Sequence, residues 1–353
     1  MMLLGLNINF FIFFFLISFF LTFLIAKYSK LLFSGSLLDK DFLKPQAFHK
    51  KPIARIGGLA IFLLFTLFLL FYFFLFNVFL NDYFTISLLL FILGFLDDLK
   101  IKIQPNIRLS LMLILLVLCI NIFSIQITMT GLDFLNLWLE NNIFQICFVL
   151  LCFLFVINGA NLIDGFNGLL AIHFLLINSI FLTINLFNHN DNLSIILIAQ
   201  IIIVLSFLLF NFPKAKIFLG DSGSYLLGSL IVLNTIKTYE LNVEISPFFF
   251  AGVLFYLFYE VFFSFVRKIK LKKSPLKPDK NHLHMLLYSW FFDVKKIKNS
   301  NYLTSLLINT CYLFLQIPLF YFQNNGLISR YWFFSSIILY TLIYFRLYSF
   351  SKK

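Results

Sequence analysis

Long apolar runs separated by short polar stretches dominate the pattern along the chain. The first run, "FFIFFFLISFFLTFLIA", is apolar on every face. A helix needs about 20 apolar residues to cross a bilayer, whereas the strands of a membrane barrel alternate apolar and polar positions. The pattern therefore predicts an all-α integral membrane protein with a polytopic helix bundle. Its eleven predicted helices, or ten if one of the two short runs does not span, lie near 5–26, 57–78, 84–96, 109–125, 143–160, 168–187, 193–212, 222–236, 247–266, 302–322 and 329–348.

Lysine and arginine are distributed unevenly among the loops. If the N-terminus is periplasmic, all 27 Lys and Arg residues except Lys237 and Arg330 fall in or beside the inner loops and the C-terminal tail. Cytoplasmic loops of membrane proteins carry such an excess. The sequence therefore predicts a cytoplasmic C-terminus and a basic inner face suited to anionic lipids and substrates. Within a single transmembrane domain, 1–353, the predicted inner loops are 27–56, 97–108, 158–167, 213–221 and 267–301.

Composition supports the same class of protein. Hydrophobic residues make up 61% of the 353 residues and the net charge is +12. The first apolar run is too long for the core of a signal peptide, so we expect it to remain as an anchor. All four cysteines lie in apolar runs, which is typical of buried thiols. No soluble segment is large enough for a nucleic-acid-binding module, so no nucleic acid partner is expected.

Five polar stretches interrupt the apolar background. All five fall on the predicted inner side, although three of them are defined by Asp, Asn and Gly and not by the basic residues that set the orientation. The agreement indicates one composite site at the cytoplasmic face. The stretches are "QAFHKKPIARIGGLAIF" (46–62), "GFLDDLKIKIQPNIRL" (94–109), "NGANLIDGFNGL" (158–169), "KIFLGDSGSYLLG" (216–228) and "SPLKPDKNHLHMLL" (274–287).

Asp97 and Asp98 end the third apolar run. Two adjacent carboxylates at a membrane edge are costly unless they bind cations. Magnesium prefers oxygen ligands, usually one or two carboxylates together with substrate phosphates. Arg108, which follows, has the right chemistry for phosphate oxygens. The pair therefore indicates Mg²⁺ association or activation of a substrate phosphate; the alternative is an acidic helix end at the interface.

The four other polar stretches also carry candidate site residues. Asn161 and Asp164 are three residues apart, so one helical turn presents both to the same side. Asn167 follows them, and Asp221 lies between two glycines; the alternative for both stretches is helix capping. The remaining candidates lie in basic segments or within the membrane. They are His49, Lys51 and Arg55, then Glu260 inside the ninth apolar run, then His282 and His284, whose loop suits a diphosphate better than zinc.

Taken in order, the polar stretches resemble those of the polyprenyl-phosphate N-acetylhexosamine-1-phosphate transferases, glycosyltransferase family 4. The resemblance covers roughly residues 45 to 290. The matching motifs are "ARIGG", Asp97-Asp98, the N-x-x-D-G-x-x-G-L element at 161–169, G-D-x-G-S at 220–224 and "PDKNHLHM". The last is similar to the form found in the amino-sugar branch, which starts O-antigen and common-antigen glycans. Met285 stands where many relatives have a further His, which leaves the choice of nucleotide sugar open. Glu260 stands where many relatives have Asp and resembles a feature of a subgroup.

The resemblance implies a reaction, a cofactor and partners. UDP-N-acetylhexosamine and undecaprenyl phosphate would give undecaprenyl-diphosphate-N-acetylhexosamine and UMP at the cell inner membrane, with Mg²⁺ or Mn²⁺ as cofactor. Asp221 would bind the metal, and Asp97 or Asp98 would deprotonate or orient the lipid phosphate, with a covalent phospho-aspartate as the rival role. The other residues would bind the donor in two sets. The first set would hold the uridine end or support the metal: Asn161, Asp164 and Asn167. The second set would contact the diphosphate or the sugar: Arg55, Arg108, His282 and His284.

Other functions stay open at this stage. A peptidoglycan-type phospho-MurNAc-pentapeptide transferase belongs to the same superfamily. A membrane transporter would also place acids in the membrane, but near the midplane and not at one face. An inactive relative that handles lipid would keep the fold, and a homodimer is compatible with every one of these readings.

Overall fold

The computed structural model describes residues 8–39, 52–101, 103–274 and 279–351. Thirteen α-helices fall within these ranges and account for most of the described residues. In chain order they are α1 (Ile8–Tyr28), α2 (Gly57–Phe76), α3 (Asn81–Asp98), α4 (Pro105–Ile122), α5 (Asp133–Leu139), α6 (Asn142–Ile163), α7 (Leu169–Phe187), α8 (Asp191–Asn211), α9 (Gly220–Leu241), α10 (Pro247–Lys270), α11 (Leu283–Ser289), α12 (Ser300–Tyr321) and α13 (Gly326–Ser351).

The prediction of an all-α polytopic membrane protein is confirmed. Each predicted apolar run corresponds to a helix of 18 residues or more, and nine of the described helices are long and apolar enough to cross a membrane. The helices α3 and α9 are long enough but carry more polar residues, because α3 ends in two aspartates and α9 begins with Gly-Asp-Ser. Along most of its length α9 is buried, so it occupies the centre of the bundle.

Two short helices and a small sheet were not predicted. Helices α5 and α11 have seven residues each, too few to give a span-length signal. The sheet has three strands in the order β1 (Leu38–Asp39), β2 (Ile53–Arg55), β3 (Ile217–Phe218); β1 and β2 are antiparallel, and β2 and β3 are parallel. Because β2 leads into α2 and β3 leads into α9, their pairing places the first residues of these two helices side by side.

Glycines allow three helix ends to meet at one point. A Cβ atom on Gly58, at the start of α2, would lie 2.3 Å from the backbone nitrogen of Gly223 in α9. A Cβ atom on Gly94, near the end of α3, would lie 2.5 Å from backbone atoms of Asp221. Small residues permit such close backbone approach between membrane helices. The end of α3 and the beginnings of α2 and α9 are therefore packed directly against one another.

A buried cluster of uncharged polar side chains joins four helices in the middle of the bundle. Asn234 of α9 donates to Asn178 of α7 at 3.1 Å and to Gln200 of α8 at 2.6 Å, and it accepts from the hydroxyl of Tyr83 of α3 at 2.9 Å. Asn178 also donates to Gln200 at 3.0 Å. Because these groups form hydrogen bonds with one another and carry no charge, the cluster is typical of the interhelical hydrogen bonding that stabilises membrane helix bundles. It does not have the ionisable groups that the transporter hypothesis would favour at this depth.

The two cations that the charge count left outside lie away from the paired aspartates. Lys237 forms an ion pair of 3.3 Å with Asp82, in the first turn of α3, whereas Asp97 and Asp98 form the last turn of that helix. Arg330 donates to the carbonyl of Gly131, in the segment that follows α4. Lys237 and Arg330 thus lie at the end of the bundle opposite to Asp97 and Asp98, as the loop assignment from the sequence requires. Which end faces the cytoplasm stays a prediction.

Candidate active site

Asp98 caps the helix that begins at Gly220. Its carboxylate accepts hydrogen bonds from the backbone N–H groups of Asp221 at 3.0 Å and Ser222 at 2.9 Å, and from the hydroxyl of Ser222 at 2.6 Å. The first N–H groups of a helix have no partner within the helix, and the helix dipole favours a negative charge there. Asp98 is only 2% exposed. Its acceptor capacity is therefore used to fix the start of α9.

Gly220 makes room for this cap. Its φ angle is +81°, a conformation that glycine adopts readily and other residues rarely. A Cβ atom at this position would lie 2.5 Å from Oδ2 of Asp98. Both the backbone conformation and the available space therefore require glycine.

Arg108 bridges the other two carboxylates of the cluster. One of its terminal nitrogens donates to Oδ2 of Asp97 at 2.8 Å and to Oδ2 of Asp221 at 3.2 Å. Its guanidinium also lies over the ring of Tyr225, 5.8 Å from the centroid. The side chains of Arg108, Asp97 and Asp221 are 23%, 30% and 21% exposed, so this bridge, unlike Asp98, is open to a ligand.

Arg55 lies on the other side of Asp98. It forms hydrogen bonds of 3.1 and 2.8 Å with Oδ2 of Asp39, and its remaining terminal nitrogen is 4.0 Å from Asp98. Burial alone would lower the pKa of Arg55, but the charges of Asp221, Asp39 and Asp98 raise it on balance. This cation is therefore fixed in the charged state beside the acidic cluster.

Asp164 follows the last residue of α6 and is the least compensated acid of the cluster. Burial, and then repulsion by Asp221, raises the pKa of Asp164 well above its ordinary value, although Arg55 opposes the shift. Asn161, one turn earlier, donates to the hydroxyl of Ser224 at 2.9 Å and so joins the end of α6 to the first turn of α9. A half-buried carboxylate with a raised pKa would gain a favourable interaction from any cation bound beside it.

Asn167 has a different environment. Its side chain donates to the carbonyl of Pro213 at 3.0 Å, and its backbone N–H donates to Asn301 at 3.0 Å. These contacts hold the loop between α6 and α7 against the segments that precede β3 and begin α12. The structure thus places Asn167 in a brace beside the cluster of aspartates.

A second cluster surrounds His282. Its Nδ1 atom is 3.0 Å from Oε1 of Glu260 and its Nε2 atom is 3.2 Å from Oδ1 of Asp279. Asp279 in turn accepts two hydrogen bonds from Arg267, at 2.6 and 3.2 Å. Burial lowers the pKa of His282, but the hydrogen bonds to Asp279 and Glu260 outweigh it and raise that pKa overall. Burial raises the pKa of Asp279, but its hydrogen bonds with His282 and Arg267 outweigh this effect and hold the pKa well below the ordinary value.

His284 joins this cluster to the loop that carries Asp164. Its ring stacks parallel to that of His282 at 5.6 Å and packs edge-on against Phe166 at 5.6 Å. A methyl group placed on Gly165 would lie 3.8 Å from Nε2 of His284. Among the described residues, neither ring nitrogen of His284 has a hydrogen-bond partner, and burial lowers its pKa to about 3.

The predicted site residues within the described ranges thus meet at one end of the bundle. Around the start of α9 lie Arg55, Asp97, Asp98, Arg108, Asn161, Asp164 and Asp221, with Asn167 beside them and with Glu260, His282 and His284 adjoining through the α6–α7 loop. Their functional roles stay predictions. His49 and Lys51 lie outside the described residues.

Comparison with known proteins shows which family the chain belongs to. A model described as glycosyl transferase family 4 matches residues 80–239. An undecaprenyl-phosphate alpha-N-acetylglucosaminyl 1-phosphate transferase of Thermotoga maritima is 30% identical over 269 residues, which make up 76% of this chain and 78% of the relative. The chain belongs to glycosyl transferase family 4.

Relatives of the family come from more than one branch. A probable undecaprenyl-phosphate N-acetylglucosaminyl 1-phosphate transferase of Bacillus subtilis is 29% identical over 257 residues, or 69% of this chain and 67% of the relative. A phospho-N-acetylmuramoyl-pentapeptide-transferase of Dictyoglomus turgidum is 28% identical over 297 residues, or 78% of this chain and 89% of the relative. The resemblance read from the motifs is confirmed at the level of the family.

The chemistry of the acidic cluster fits a magnesium ion. Carboxylate oxygens are the ligands that Mg²⁺ prefers, and Asp164 is a half-buried acid whose charge Arg55 compensates only in part. Within the described ranges no three His, Cys, Asp or Glu side chains are already arranged as a metal cage. Magnesium commonly binds one or two carboxylates and takes its other ligands from substrate phosphates and water, so such a cage is not required. Asp221, with Asp164 or Asp97, would hold the ion.

Three partners of the site residues were not assigned a role from the sequence. Asp39 pairs with Arg55, Asp279 pairs with Arg267 and His282, and Tyr340 of α13 donates to Oε2 of Glu260 at 2.6 Å. Asp279 belongs to the "PDKNHLHM" motif, only three residues before His282, so the sequence could have indicated that the two side chains pair. Asp39 and Tyr340 are far from any motif, and only the folded chain reveals them.

Proposed function

We propose that the protein transfers N-acetylhexosamine 1-phosphate from a UDP-sugar to undecaprenyl phosphate. An oxygen of the lipid phosphate attacks the sugar-linked phosphorus and forms the new P–O bond. The bond from that phosphorus to the oxygen bridging it to the uridine-linked phosphate breaks, and UMP leaves with the bonding electrons. The products are undecaprenyl-diphosphate-N-acetylhexosamine and UMP, the first membrane intermediate of a cell-surface glycan.

One observation carries the proposal: four aspartates and two arginines meet where several membrane helices end. Both substrates are anionic, and one arrives from water while the other stays in the bilayer. A charged site at one end of the bundle is accessible to both. Phosphoryl transfer depends mainly on alignment and charge neutralisation, which clustered arginines and carboxylate-bound metal provide. The names and similarity of the relatives support the same reaction class.

The surroundings of the two adjacent aspartates favour different roles. Asp97 is partly exposed and paired with Arg108, so we assign it the orientation or deprotonation of the lipid phosphate. Asp98 is buried and accepts three hydrogen bonds from α9, so we assign it the positioning of Asp221. Arg108 and Arg55 neutralise phosphate oxygens of the donor. A magnesium ion at Asp221, when bound, would neutralise the charge that develops on the leaving UMP.

The proposal includes the side of the membrane. The excess of lysine and arginine in the predicted inner loops supports a site on the cytoplasmic face of the cell inner membrane. UDP-sugars are cytoplasmic, so the donor would reach the cluster without crossing the bilayer.

The test is transfer of radiolabel to lipid. Membranes that contain the full-length protein receive undecaprenyl phosphate, Mg²⁺ and one labelled donor, either a UDP-N-acetylhexosamine or UDP-MurNAc-pentapeptide, each with and without EDTA. We expect a lipid-extractable product from an N-acetylhexosamine donor and none in EDTA. Product from the pentapeptide donor alone would replace the proposal by the peptidoglycan reaction. No product from any donor, with the protein shown to be inserted, would overturn it.

A matched pair of variants links the product to the site. Asp97→Asn removes one carboxylate from the cluster, and Asp133→Asn removes an exposed carboxylate in the first turn of α5. We expect the first variant to lose about 10²-fold or more in turnover, since it removes a group that aligns the nucleophile. The second should match the parent protein. Equal activity in both would remove Asp97 from the chemistry.

A further inference from the structure

The two ring nitrogens of His282 face two different carboxylates. Nδ1 lies 3.0 Å from Glu260 and Nε2 lies 3.2 Å from Asp279, and the residue is 3% exposed. An ionised carboxylate only accepts hydrogen bonds, so each ring nitrogen must carry a proton to form both contacts. The geometry therefore holds His282 as an imidazolium with no donor left for a substrate.

Both carboxylate oxygens of Glu260 also have partners within the protein. Its Oε1 atom accepts from Nδ1 of His282 and from the backbone N–H of Leu283 at 3.2 Å, and its Oε2 atom accepts from the hydroxyl of Tyr340 at 2.6 Å. Glu260 is 1% exposed. Since both of its oxygens accept hydrogen bonds from groups of the protein, it links α10, α13 and the beginning of α11.

The groups around His282 balance in charge. Glu260 and Asp279 supply two negative charges, and His282 and Arg267 supply two positive ones. Tyr340 and Tyr344 approach the same cluster from α13, where Tyr344 donates to the carbonyl of Asn281 at 3.1 Å. Lys268 and the neutral ring of His284 complete the titratable groups nearby. Buried charges are tolerated when they are paired and hydrogen-bonded, as they are here.

His284 is as buried as His282 but differs from it in its hydrogen bonds. Both of its ring nitrogens are without a partner among the described residues, although the side chain is fully buried. The low pKa of about 3 keeps its ring neutral at pH 7, so it offers one N–H donor and one acceptor. Its Nε2 atom lies beside Gly165, the neighbour of Asp164, where an added Cβ atom would be 3.8 Å away.

We infer that Glu260 and Asp279 hold His282 as a positioning residue, so that His284 is the histidine of this pair that contacts the nucleotide-sugar donor. This inference rests on the proposed function. It also makes Glu260 and Tyr340 parts of the machinery, although both lie outside residues 80–239, which match the family model. The helix α13 thus supports the loop that presents His284.

The first experiment reads the histidine rings directly and does not require turnover. The full-length protein, labelled with ¹⁵N-histidine, is placed in lipid nanodiscs, and the signals of its five histidines are assigned with single His→Asn variants. We expect both ring nitrogens of His282 to stay protonated beyond the ordinary histidine value of about 6.5, because Glu260 and Asp279 raise its pKa. Loss of a ring proton from His282 at or below that ordinary value would overturn the inference.

Addition of UDP-N-acetylglucosamine then distinguishes the two histidines. We expect the ring signals of His284 to shift and those of His282 to keep their protonated values. A shift confined to His282, or no shift at His284 at saturating donor, would overturn the assignment. Donor binding alone is needed here, so a failure of the transfer reaction and a failure of this inference remain distinguishable.

Variants of Glu260 test the positioning role. Glu260→Gln removes the charge, so we expect His282 to lose its ring proton at a pH at least about one unit lower and kcat/KM for the donor to fall about 10²-fold. Glu260→Asp keeps the charge and should recover part of both. Glu140→Gln, an exposed control, should match the parent protein.

The ring signals of the parent protein keep the inference testable if Glu260→Gln does not fold. Tyr340→Phe serves as a milder variant, since it removes one hydrogen bond and keeps the ring. We expect it to lower kcat/KM about tenfold with His282 still protonated. An unchanged His282 titration and parental kcat/KM in folded Glu260→Gln would overturn the positioning role.

Discussion

The carboxylate of Asp98 accepts a hydrogen bond from the backbone N–H of Asp221 at 3.0 Å, across 123 residues of sequence. Its neighbour Asp97 instead meets Arg108 at 2.8 Å. The two adjacent aspartates have the same intrinsic chemistry, but their side chains point in different directions and therefore have different partners. Asp98 points into the bundle and fixes α9, whereas Asp97 points into the open part of the site.

Substitution of the two aspartates should reveal this difference. Asp98→Asn places an NH₂ group among donors and removes the charge at the start of α9, so we expect the free energy of unfolding to fall by about 1–3 kcal/mol. Asp97→Asn affects a partly exposed ion pair, which contributes about 0–1 kcal/mol. Both variants should lose most transfer activity. Thermal unfolding in detergent and the lipid transfer assay measure the two effects separately.

The contrast between the two variants is the decisive result. If Asp97→Asn destabilised the protein as strongly as Asp98→Asn, the assignment of Asp98 as the cap would be wrong. Ser222→Ala serves as a second measure, because it removes the 2.6 Å hydrogen bond to Asp98 and retains both carboxylates. We expect a loss of about 1 kcal/mol from this variant.

Gly220 should tolerate no side chain. Gly220→Ala adds a Cβ atom 2.5 Å from Asp98 to a residue with φ of +81°, so we expect a loss of stability above about 1 kcal/mol and loss of transfer activity. Gly326→Ala is the matched control, since its Cβ would meet the nearest atom, Oγ of Ser246, at 3.4 Å. A Gly220→Ala protein with parental stability and turnover would contradict the close approach.

The pH dependence of stability should reflect Asp164. Its pKa is raised in the folded protein by burial and then by Asp221, so the folded state binds more protons than the unfolded state. Stability therefore falls as the pH rises from about 4 through the raised pKa. Asp164→Asn removes this effect. In EDTA, we expect its unfolding temperature at pH 8 to exceed that of the parent by at least about 2 °C.

The same comparison at pH 4 provides the internal control for Asp164. There both the parent carboxyl and the substituted amide are uncharged in the folded state, so the two unfolding temperatures should differ little. A stabilisation that is equal at pH 4 and pH 8 would show that charge is not its cause. Transfer activity of Asp164→Asn should be lost at either pH, since the proposed site needs the carboxylate.

The amide cluster in the bundle should contribute to stability and not to catalysis. Asn234→Ala removes the side chain to which Tyr83, Asn178 and Gln200 are all hydrogen-bonded, so we expect a loss of about 1–2 kcal/mol. Turnover per folded molecule should be unchanged. Asn121→Ala, which removes one exposed bond to the carbonyl of Val117, is the control. A loss of turnover without a loss of stability would point to a role in transport or catalysis instead.

Much of the fold was predictable because the bilayer imposes one simple requirement. Runs of about 20 apolar residues have no alternative but to form spanning helices, so their number and approximate bounds follow from composition. Short elements do not carry that signal. Helix α11 has seven residues and β3 has two, and both depend on contacts with distant parts of the chain.

The site was predictable as a set of residues but not as a set of contacts. Clustered Asp, Asn and Gly residues among apolar runs marked Asp97, Asp98, Asp164 and Asp221. The sequence could not separate Asp97 from Asp98, since their directions depend on where α9 begins. It also could not show that the carboxylate of Glu260 turns towards His282 and Tyr340, because side-chain direction follows from the packing of α10 and α13.

The bond between Glu260 and Tyr340 has a consequence for how the protein is made. The two residues are 80 positions apart, and Tyr340 belongs to the last helix of the chain. At the usual rate of about 5–20 residues per second, a ribosome needs roughly 4–16 s to synthesise that interval. Until Tyr340 has been made, the loop of His284 has no support from it. A chain cut short before its last helix would therefore reach the membrane with its acidic cluster assembled but without the support for its histidine loop.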